Sequence, residues 1–403
     1  MRKQGDLADI RKGCVSLNIA VLGGGLQGTE AAYLLRKAGH KVFMLDKRPH
    51  APAKGLAHHY FCFDLLHATE KQIDAFISPV EAIIPATESI NALMAMERMA
   101  RKYNKIFCFD GAAYSISSNK VISNRLFARM GLPGPLPWPK AGFPLLLKPA
   151  NSSGSKGVKV VINIKELKEL LASEKTPSAE LVMEEFLEGP SYSIEVAAVM
   201  GEGTTMEVTL LQFDELFDCN RVIYPSGLDR AGVSLLESMV LQLAKALHLT
   251  GIMDLEVIHT AGQFKVLEID ARLPSQTPTV AYHASGVNLV NCLLDAFLRG
   301  TVPSQMVLKK KKAVIYEHLY CRSGKIFFPG EHIVAESSGL YLQENFFGAD
   351  EAITNYAPGK KSWVATVIIT SESIDEAWQK RQIMLEKIIK QEDKGKQQRF
   401  LYL

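Results

Sequence analysis

Two strand-like segments, GIMDLEVI (251–258) and FKVLEID (264–270), carry four acidic residues and are joined by a short turn containing Gly262. Antiparallel pairing about this glycine sets Glu256 opposite Glu268 and Asp254 opposite Asp270. Because side chains alternate between the faces of a strand, all four carboxylates share one face. The opposite face is predicted to carry the apolar residues Leu255, Val257, Leu267 and Ile269. The hairpin thus strongly constrains how the chain can fold.

Directly opposed carboxylates lie only about 4.5–5.5 Å apart and repel each other. The hairpin therefore predicts either a wet outer face or a site for one or two Mg²⁺ ions, which prefer a few carboxylates together with phosphate oxygens. Arg272 follows Asp270 by two residues and leans toward the same face. A guanidinium there would neutralise charge that develops on a transferred phosphoryl group or an acyl intermediate, so Arg272 is a candidate catalytic residue.

Residues suited to binding phosphate precede the hairpin in the sequence. Lys148 ends the strand-like segment LLLKP, and Lys120 opens a predicted helix. The small-residue loop 151–157, which contains Ser152, Ser153, Gly154 and Ser155, can fold its amides and hydroxyls over phosphates. Glu184, Glu185, Phe186 and Leu187 offer an apolar surface and backbone groups for an adenine edge. Together these residues favour an ATP site over a solvated acidic face.

The amino-terminal region alternates strand and helix and predicts an open parallel α/β sheet. Its glycine turn, Gly23–Gly28, fits G-x-G-x-x-G, and Asp46 closes the second strand. This pattern also fits an NAD(P)-dependent oxidoreductase. Any strand–turn–helix with close packing needs the same glycines, so the motif alone does not decide. A Pro-rich break follows at 132–144. The predicted divisions are a polar leader (1–16), a Rossmann-like domain (17–115), a central subdomain (116–195) and a β-rich carboxyl-terminal subdomain (196–403).

Composition excludes several classes of partner. The 46 basic and 43 acidic residues give a net charge of only +3, which indicates no nucleic-acid surface. The apolar runs are strand-sized, and residues 1–16 lack the apolar core of a secretory signal, so no membrane association is expected. Six scattered cysteines without a C-x-x-C pair indicate a reducing, cytoplasmic location and neither a disulfide framework nor zinc.

The residues named above, in this order, resemble the ATP-grasp superfamily over about residues 17–300. A closer resemblance is to the ATP-grasp ligases of pyrrolysine biosynthesis, which couple the carboxylate of 3-methyl-D-ornithine to the ε-amine of L-lysine and release ADP and phosphate. It is carried by GGxLQG (23–28), YxCFD (60–64), FDxLFDC (213–219), VLEIDARLPSQTPTV (266–280), YHASGVNL (282–289) and IYEHL (315–319). The resemblance implies an ATP-grasp fold, mixed α/β and α+β, behind a Rossmann-like domain.

The resemblance also implies roles for individual residues. Metal would be held by Glu256, Glu268 and Asp270, as one or two Mg²⁺ with Mn²⁺ able to substitute. ATP would contact Lys120, Lys148, Ser152, Ser153, Gly154, Ser155, Glu184, Glu185, Phe186, Leu187, Gly25, Asp46, Asp64 and Leu65. The amino-acid substrates would contact Leu26, Gln27, Glu88, Ser193, Glu195, Asp218, Arg272, Ser275, Gln276 and Thr277. Glu195 would accept the proton of the attacking amine.

Other functions stay open at this point. The same fold could serve another amino-acid or dipeptide ligase, a carboxylase, or a nucleotide sensor without catalysis. The glycine turn keeps an oxidoreductase in consideration. The expected partners are small molecules only, with neither nucleic acid nor membrane, and a homodimer is allowed.

Overall fold

The computed structural model describes residues 16–152, 154–173, 180–302 and 311–400. Residues 1–15 of the predicted leader and the predicted phosphate-loop residue Ser153 lie outside the described residues. Among the described helices, none combines the length and the apolar character needed to cross a lipid bilayer.

The amino-terminal strands form a parallel sheet in the order β3-β2-β1-β4-β5. They are β1 (Asn18–Leu22), β2 (Lys41–Asp46), β3 (His59–Cys62), β4 (Ala82–Pro85) and β5 (Ile106–Phe107). The connecting helices are α1 (Leu26–Lys37), α2 (Glu70–Ile77) and α3 (Ile90–Lys102), with 3₁₀ turns at Pro52–Leu56 and Leu65–His67. Both faces of this sheet are covered, so its central strands are almost entirely apolar in sequence. The predicted parallel sheet is confirmed.

A small antiparallel sheet follows, in the order β7-β6-β8. Its strands are β6 (Leu145–Pro149), β7 (Lys159–Val161) and β8 (Leu181–Glu185). The helices of this region are α4 (Gly111–Ser117), α5 (Lys120–Met130) and α6 (Ile164–Ser173). Lys148 thus lies on the central strand β6, opposite Val182 of β8.

The rest of the chain builds a long antiparallel sheet, ordered β14-β13-β9-β11-β12-β15-β19-β18-β17, with β10 beside β9 and β16 beside β15. Its strands are β9 (Ser191–Val199), β10 (Glu202–Thr205), β11 (Thr209–Phe213), β12 (Cys219–Tyr224), β13 (Gly251–Thr260), β14 (Gln263–Asp270), β15 (Ala313–Arg322), β16 (Lys325–Phe327), β17 (Tyr341–Glu344), β18 (Glu351–Thr354) and β19 (Ser362–Ser371). Its helices are α7 (Arg230–Ala246), α8 (Thr277–Ser285), α9 (Leu289–Arg299), α10 (His332–Ala335) and α11 (Ile374–Phe400).

One predicted division requires correction. The boundary after residue 195 falls inside β9, which is hydrogen-bonded to β13 and β11 of the long sheet. A division that separates the small sheet from the long one must therefore lie before Ser191. A hydrophobic cluster joins residues of β1, β2 and α1 to residues of α8, α9 and β15, so the first sheet packs directly against the long-sheet layer.

The predicted carboxylate pairing is confirmed, because Glu256 pairs with Glu268 and Asp254 with Asp270. The turn itself is made by Ala261 and Gly262, both with positive φ (49° and 77°). A bulge at Leu267 then shifts the register by one residue, since Val257 pairs with Val266 rather than with Leu267. The placement of Leu267 on the apolar face is therefore wrong; this side chain lines a cavity instead.

Candidate active site

A cavity of about 390 Å³ lies between the small sheet and the β13–β14 hairpin. Slightly more than half of its lining residues are ones that the sequence assigned to phosphate, adenine or metal. They are Lys120, Lys148, Ser152, Gly154, Ser155, Glu184, Glu185, Phe186, Leu187, Glu256 and Glu268. We call this space the ATP cavity, since it joins phosphate-binding cations to an apolar wall with Leu146, Val158, Ile258 and Leu267.

The two lysines of the ATP cavity are fixed by ion pairs. Lys148 Nζ lies 2.6 Å from Glu184, and both side chains are more than nine-tenths buried. Lys120 Nζ lies 3.2 Å from Glu268 and donates to the carbonyl of Ser152 at 2.5 Å. Lys120 therefore connects the phosphate loop to the carboxylate hairpin.

The side chain and the amide of Glu185 are both engaged, since the amide donates to the carbonyl of Leu136 at 2.8 Å. Its carboxylate is engaged by Lys265 Nζ at 2.7 Å and by the amide of Leu136 at 3.2 Å. The neighbouring Phe186 stacks edge-on to Phe217, with ring centroids 6.1 Å apart. An apolar wall with a fixed strand edge suits a planar base.

The hairpin carboxylates are electrostatically unequal. Burial, followed by the charge of Glu268, raises the pKa of Glu256 to about 8. Burial also acts on Glu268, but Lys120 and Lys148 outweigh it and lower the pKa of that carboxylate. Burial raises the pKa of Asp270 to about 6. A cation between these groups would offset both the burial and the repulsion that raise the pKa of Glu256.

The residues present fit a hard divalent cation. Glu256 and Glu268 both line the ATP cavity. Asp270 lies two residues after Glu268 on the same strand, so its side chain is on the same face of the hairpin. Asp270 Oδ1 and Asp254 Oδ1 are buried and have no hydrogen-bond partner among the described residues. Orphaned carboxylate oxygens beside a phosphate cavity suit Mg²⁺ or Mn²⁺.

A second cavity of about 130 Å³ adjoins the first and shares Glu256 and Glu268 with it. The predicted substrate residues Asp218, Arg272, Ser275, Gln276 and Thr277 all line it. We call it the substrate cavity. The Arg272 guanidinium lies 2.6 Å from Asp270 and 3.0 Å from Glu88, so a first-domain acid reaches the predicted catalytic residue.

Two residues that line the substrate cavity were not found from the sequence. Glu331 accepts hydrogen bonds from Ser275 Oγ at 2.9 Å and Gln276 Nε2 at 2.7 Å. Phe217 closes the mouth, where its carbonyl accepts from Ser155 Oγ at 2.5 Å. Glu331 lies 55 residues beyond Gln276 and belongs to no local pattern, so sequence spacing gave no signal for it. Phe217 lies inside the motif 213–219 that carried the resemblance, but no role was assigned to it.

Asp214, Asp218 and His332 place ligand atoms within 4.8 Å of one another beside the substrate cavity. Hydrogen bonds to the two aspartates join the loop 214–218 to residues 330–332. Asp214 accepts from the Gly330 amide at 2.8 Å, and Asp218 accepts from the His332 amide at 2.9 Å and from its ring Nδ1. This clamp fixes the segment that carries Glu331.

Ser193 and Glu195 do not line either cavity. Both lie on β9 and are buried, and Glu195 Oε1 accepts from Ser193 Oγ at 3.1 Å. Burial raises the pKa of Glu195 to about 7. Because β9 pairs Ser193 with Glu256 and Glu195 with Asp254, both residues lie on the face of the sheet that carries the site acids. Their contact with substrate and the transfer of the amine proton to Glu195 stay predictions.

Gly25, Asp46, Asp64 and Leu65 line a separate cavity of about 340 Å³ at the carboxyl edge of the first sheet. It shares no lining residue with the ATP cavity, and the assignment of these four residues to ATP stays a prediction. Leu26 and Gln27 instead begin α1, and Gln27 Nε2 lies 3.4 Å from the carbonyl of Leu273, beside Arg272.

The glycine turn has a packing explanation. A Cβ on Gly23 would lie 2.1 Å from the carbonyl oxygen of Ala86, and one on Gly28 would lie 1.9 Å from that of Gly23. The acid that would hold a ribose, Asp46, already accepts from the amide of Gly24 at 2.7 Å and pairs with Arg48 at 3.0 Å. The turn therefore needs glycine whether or not it binds a dinucleotide.

Comparisons with known proteins agree with this geometry. A family model described as the ATP-binding domain of the carbamoyl-phosphate synthase L chain matches residues 139–296, which include both cavities' central residues. The chain is 36% identical over 332 residues to 3-methyl-D-ornithine–L-lysine ligase of Methanosarcina mazei, covering 81% of this chain and 85% of the relative. The Methanosarcina barkeri ligase is 35% identical over 330 residues, covering 81% and 86%. The chain belongs to the 3-methyl-D-ornithine–L-lysine ligase family.

Members of this family are ATP-dependent carbon–nitrogen ligases, which removes the oxidoreductase interpretation of the glycine turn. Solved structures show the ATP-grasp fold. An ADP complex of N5-carboxyaminoimidazole ribonucleotide synthetase matches with a TM-score of 0.67 at 18% identity, covering 94% of this chain and 98% of that one. An L-amino acid ligase from Bacillus licheniformis matches with a TM-score of 0.64 at 17% identity, covering 91% and 97%. The predicted fold class is confirmed.

Proposed function

We propose that this ligase joins the carboxylate of 3-methyl-D-ornithine to the ε-amine of L-lysine, with ATP converted to ADP and phosphate. The observation that carries the proposal is the shared wall of the ATP and substrate cavities, which includes Glu256 and Glu268 together with Gly154 and Ser155 of the phosphate loop. A phosphate bound on one side of this wall lies next to a carboxylate bound on the other. Family membership supports the identity of the two amino acids.

ATP binding is assigned to the ATP cavity. Lys120, Lys148 and the 151–157 loop would hold the phosphates, and the Glu184–Leu187 segment would hold adenine. Glu256, Glu268 and Asp270 would hold one or two Mg²⁺, which Mn²⁺ could replace, and the ion would neutralise phosphate charge and orient the γ-phosphate. The ion pairs of Lys120 and Lys148 hold both lysines in position before ATP arrives, so little reorganisation is needed on binding.

The substrate cavity has the charge needed for a carboxylate that also carries ammonium groups. Arg272 would bind the carboxylate, with Ser275, Gln276 and Thr277 around the backbone of the substrate. Asp218 and Glu331 provide anionic partners for ammonium groups. The acids of this cavity outnumber its one arginine, which favours a cationic amino acid over a neutral or acidic one.

The reaction then proceeds by two displacements. A carboxylate oxygen of the ornithine-like substrate attacks the γ-phosphorus, the bond to the ADP oxygen breaks, and an acyl phosphate forms. The lysine ε-amine attacks the acyl carbon, phosphate leaves with the bonding pair, and the departing phosphate takes up the proton that the nitrogen loses. Arg272 offsets the negative charge on the acyl oxygen. Lysine would approach along Leu26, Gln27 and Glu88, since Glu88 contacts Arg272 from the first domain.

Closure of the cavities excludes water from the acyl phosphate. The 151–157 loop already contacts the loop at Phe217 through Ser155, at 2.5 Å. Hydrolysis of the intermediate would waste ATP, so this contact protects the coupling of ATP use to product. A homodimer and a cytoplasmic location stay predictions; the cysteines of the described residues, Cys62, Cys108, Cys219, Cys292 and Cys321, are all free thiols.

The proposal is tested by measuring ADP release and product mass from protein, MgATP, L-lysine and 3-methyl-D-ornithine or D-ornithine, with each component omitted in turn. The expected result is an ornithyl-lysine mass and ADP in equal amounts, both dependent on the two amino acids. A Lys148→Met variant, which removes one phosphate-binding cation, is expected to lose both signals and serves as the control for contaminating activity. Product with other amino-acid pairs alone would keep the ligase and reject this substrate assignment.

A further inference from the structure

We infer that Glu30, on helix α1 of the first domain, is a positioning residue that holds the substrate-binding turn Ser275–Thr277 in its active shape. The inference rests on the proposed function, because it assigns this turn to the amino acid that supplies the carboxylate. Glu30 does not line either cavity. It would act on the substrate through the turn.

Glu30 is only 2% exposed, although it is an ionisable side chain on a helix surface. Its Oε1 accepts a hydrogen bond from the Thr279 amide at 2.7 Å, a contact that spans 249 residues of sequence. A buried carboxylate is costly unless it makes such bonds. We therefore attribute the burial of Glu30 to its hydrogen bond with the first turn of helix α8.

Helix α8 depends on this contact because it lacks a cap of its own. Gln276 occupies the N-cap position and makes no side-chain cap hydrogen bond. The first-turn amide of Thr277 bonds to the carbonyl of Ser275, and Pro278 has no N–H. The amide of Thr279 is therefore left for an external acceptor, and Glu30 is that acceptor.

Gln276, at the start of the helix that Glu30 contacts, has a strained backbone conformation. Gln276 has φ 73° and ψ −61°, a γ-turn closed by the bond between the Thr277 amide and the Ser275 carbonyl at 2.9 Å. Side chains rarely adopt this conformation, and it persists only where surrounding contacts enforce it. It directs Gln276 Nε2 and Ser275 Oγ onto Glu331, at 2.7 and 2.9 Å, in the substrate cavity.

The same helix α1 begins at the residues proposed to face lysine. Leu26 and Gln27 form its first turn, and Gln27 reaches the carbonyl of Leu273 at 3.4 Å. One helix therefore touches the segment 273–279 at two points, one turn apart. Glu30 fixes the distance between the site of the amine and the site of the activated carboxylate.

The test compares Glu30→Ala and Glu30→Gln in the full-length enzyme under steady-state conditions. Glu30→Ala is expected to raise KM for the carboxylate substrate by about tenfold or more, to leave KM for ATP within about twofold, and to raise the ADP released per dipeptide. Glu30→Gln keeps an oxygen that can accept from the Thr279 amide, so it is expected to restore most of the wild-type KM and coupling.

Tyr33→Phe is the matched control. Tyr33 lies one turn further along α1 and bonds through its hydroxyl to His283, near the other end of α8, and to Glu351, at 2.6 and 2.8 Å. This variant weakens the same helix contact away from the turn, so it is expected to lower Tm without changing either KM. The inference is overturned if Glu30→Ala behaves like Tyr33→Phe, or if both KM values rise together.

Failure of the proposed function would appear elsewhere, in the wild-type protein. If the wild-type protein releases ADP with another amino acid instead, the variants are assayed with that amino acid. A rise in its KM without a rise in KM for ATP would then support the role of Glu30. A fold-change in KM confined to the carboxylate substrate supports Glu30 as a positioning residue in either case. An unchanged KM with a lower Tm assigns Glu30 to stability alone.

Discussion

Glu256 and Glu268 stand directly opposite each other across the β13–β14 hairpin, and both face the ATP and substrate cavities. Their surroundings divide the charge between them. Lys120, 3.2 Å from Glu268, keeps that carboxylate ionised, whereas burial and the charge of Glu268 raise the pKa of Glu256 to about 8. The pair is therefore poorly stabilised without a cation and well arranged to bind one.

Glu256→Gln should reduce ligase activity without reducing stability. Loss of a ligand and of transition-state charge stabilisation is expected to lower kcat by about 10²–10³ and to raise the Mg²⁺ concentration required. Removal of a buried acid opposite another acid should leave Tm in the absence of metal unchanged or higher. The measurements are ADP release across a Mg²⁺ titration and thermal unfolding with EDTA.

The control for this variant is Glu97→Gln, which alters an exposed glutamate paired with Arg101 on α3. It should match wild-type in both assays, because exposed pairs contribute little to stability. A wild-type Mg²⁺ requirement in Glu256→Gln would contradict the metal assignment. So would a large fall of Tm in EDTA, which would make Glu256 a structural residue.

Arg272→Lys should slow the chemical step. The guanidinium contacts Asp270 at 2.6 Å and Glu88 at 3.0 Å, and a lysine ammonium cannot keep two acids and a substrate carboxylate in one planar arrangement. We expect kcat to fall by about 10²-fold while KM for ATP stays within about threefold. The measurement is kcat and KM for ATP under steady-state conditions. The reference is Arg101→Lys, which changes an exposed arginine. Equal losses in both variants would remove Arg272 from the mechanism.

Local patterns predicted much of the fold and the phosphate, adenine and metal residues of the ATP cavity. The substrate-cavity residues Asp218, Ser275, Gln276 and Thr277 were predicted only from the family resemblance. The carboxylate register was correct, but for a reason that the sequence did not reveal. The two-residue turn Ala261–Gly262 alone would place Glu256 opposite Leu267, and the bulge restores Glu268 to that position. Bulges depend on packing with neighbouring strands, so alternation of residue types could not indicate which residue leaves the ladder.

Residues placed by long-range packing were beyond the sequence patterns. Glu331 enters the substrate cavity because Asp218 and Asp214 hold residues 330–332, which follow them by more than a hundred positions. Glu195 has the residue type and the face of a site acid, since β9 pairs it with Asp254, but it is fully buried and lines neither cavity. A strand pattern gives the face of a side chain, whereas depth depends on the neighbouring layers.

Glu195→Gln should retain activity. Its carboxylate is fully buried, lines neither cavity, and already accepts from Ser193 Oγ at 3.1 Å, a contact that a glutamine oxygen can keep. We expect kcat at pH 8 within about fivefold of wild-type, because general-base catalysis by a side chain would contribute about 10²–10⁴-fold. A loss in that larger range, with an unchanged Tm, would show that Glu195 reaches the amine after all.

His283 should make the protein less stable in mild acid. Burial lowers the pKa of this imidazole to about 4, whereas the unfolded chain has the ordinary value near 6.5. Above pH 6.5 the ring is neutral in both states, so the stability is fully present. As the pH falls from 6.5 toward 4, the unfolded chain binds a proton that the folded chain does not, and the free energy of unfolding decreases. Over the whole window the loss is of the order of 3 kcal/mol.

The variant His283→Gln isolates this contribution, because its amide can still donate to the Tyr33 hydroxyl, which His283 contacts at 2.6 Å. His318, whose pKa burial lowers to about 3, destabilises both proteins in the same way and cancels in the comparison. Between pH 7.5 and pH 5, wild-type should lose about 2 kcal/mol more than His283→Gln in urea unfolding. His67→Gln changes an exposed ring and should follow wild-type. Parallel losses in wild-type and His283→Gln would mean that the folded protein admits a proton at His283, and that α1 and α8 separate there below pH 6.5.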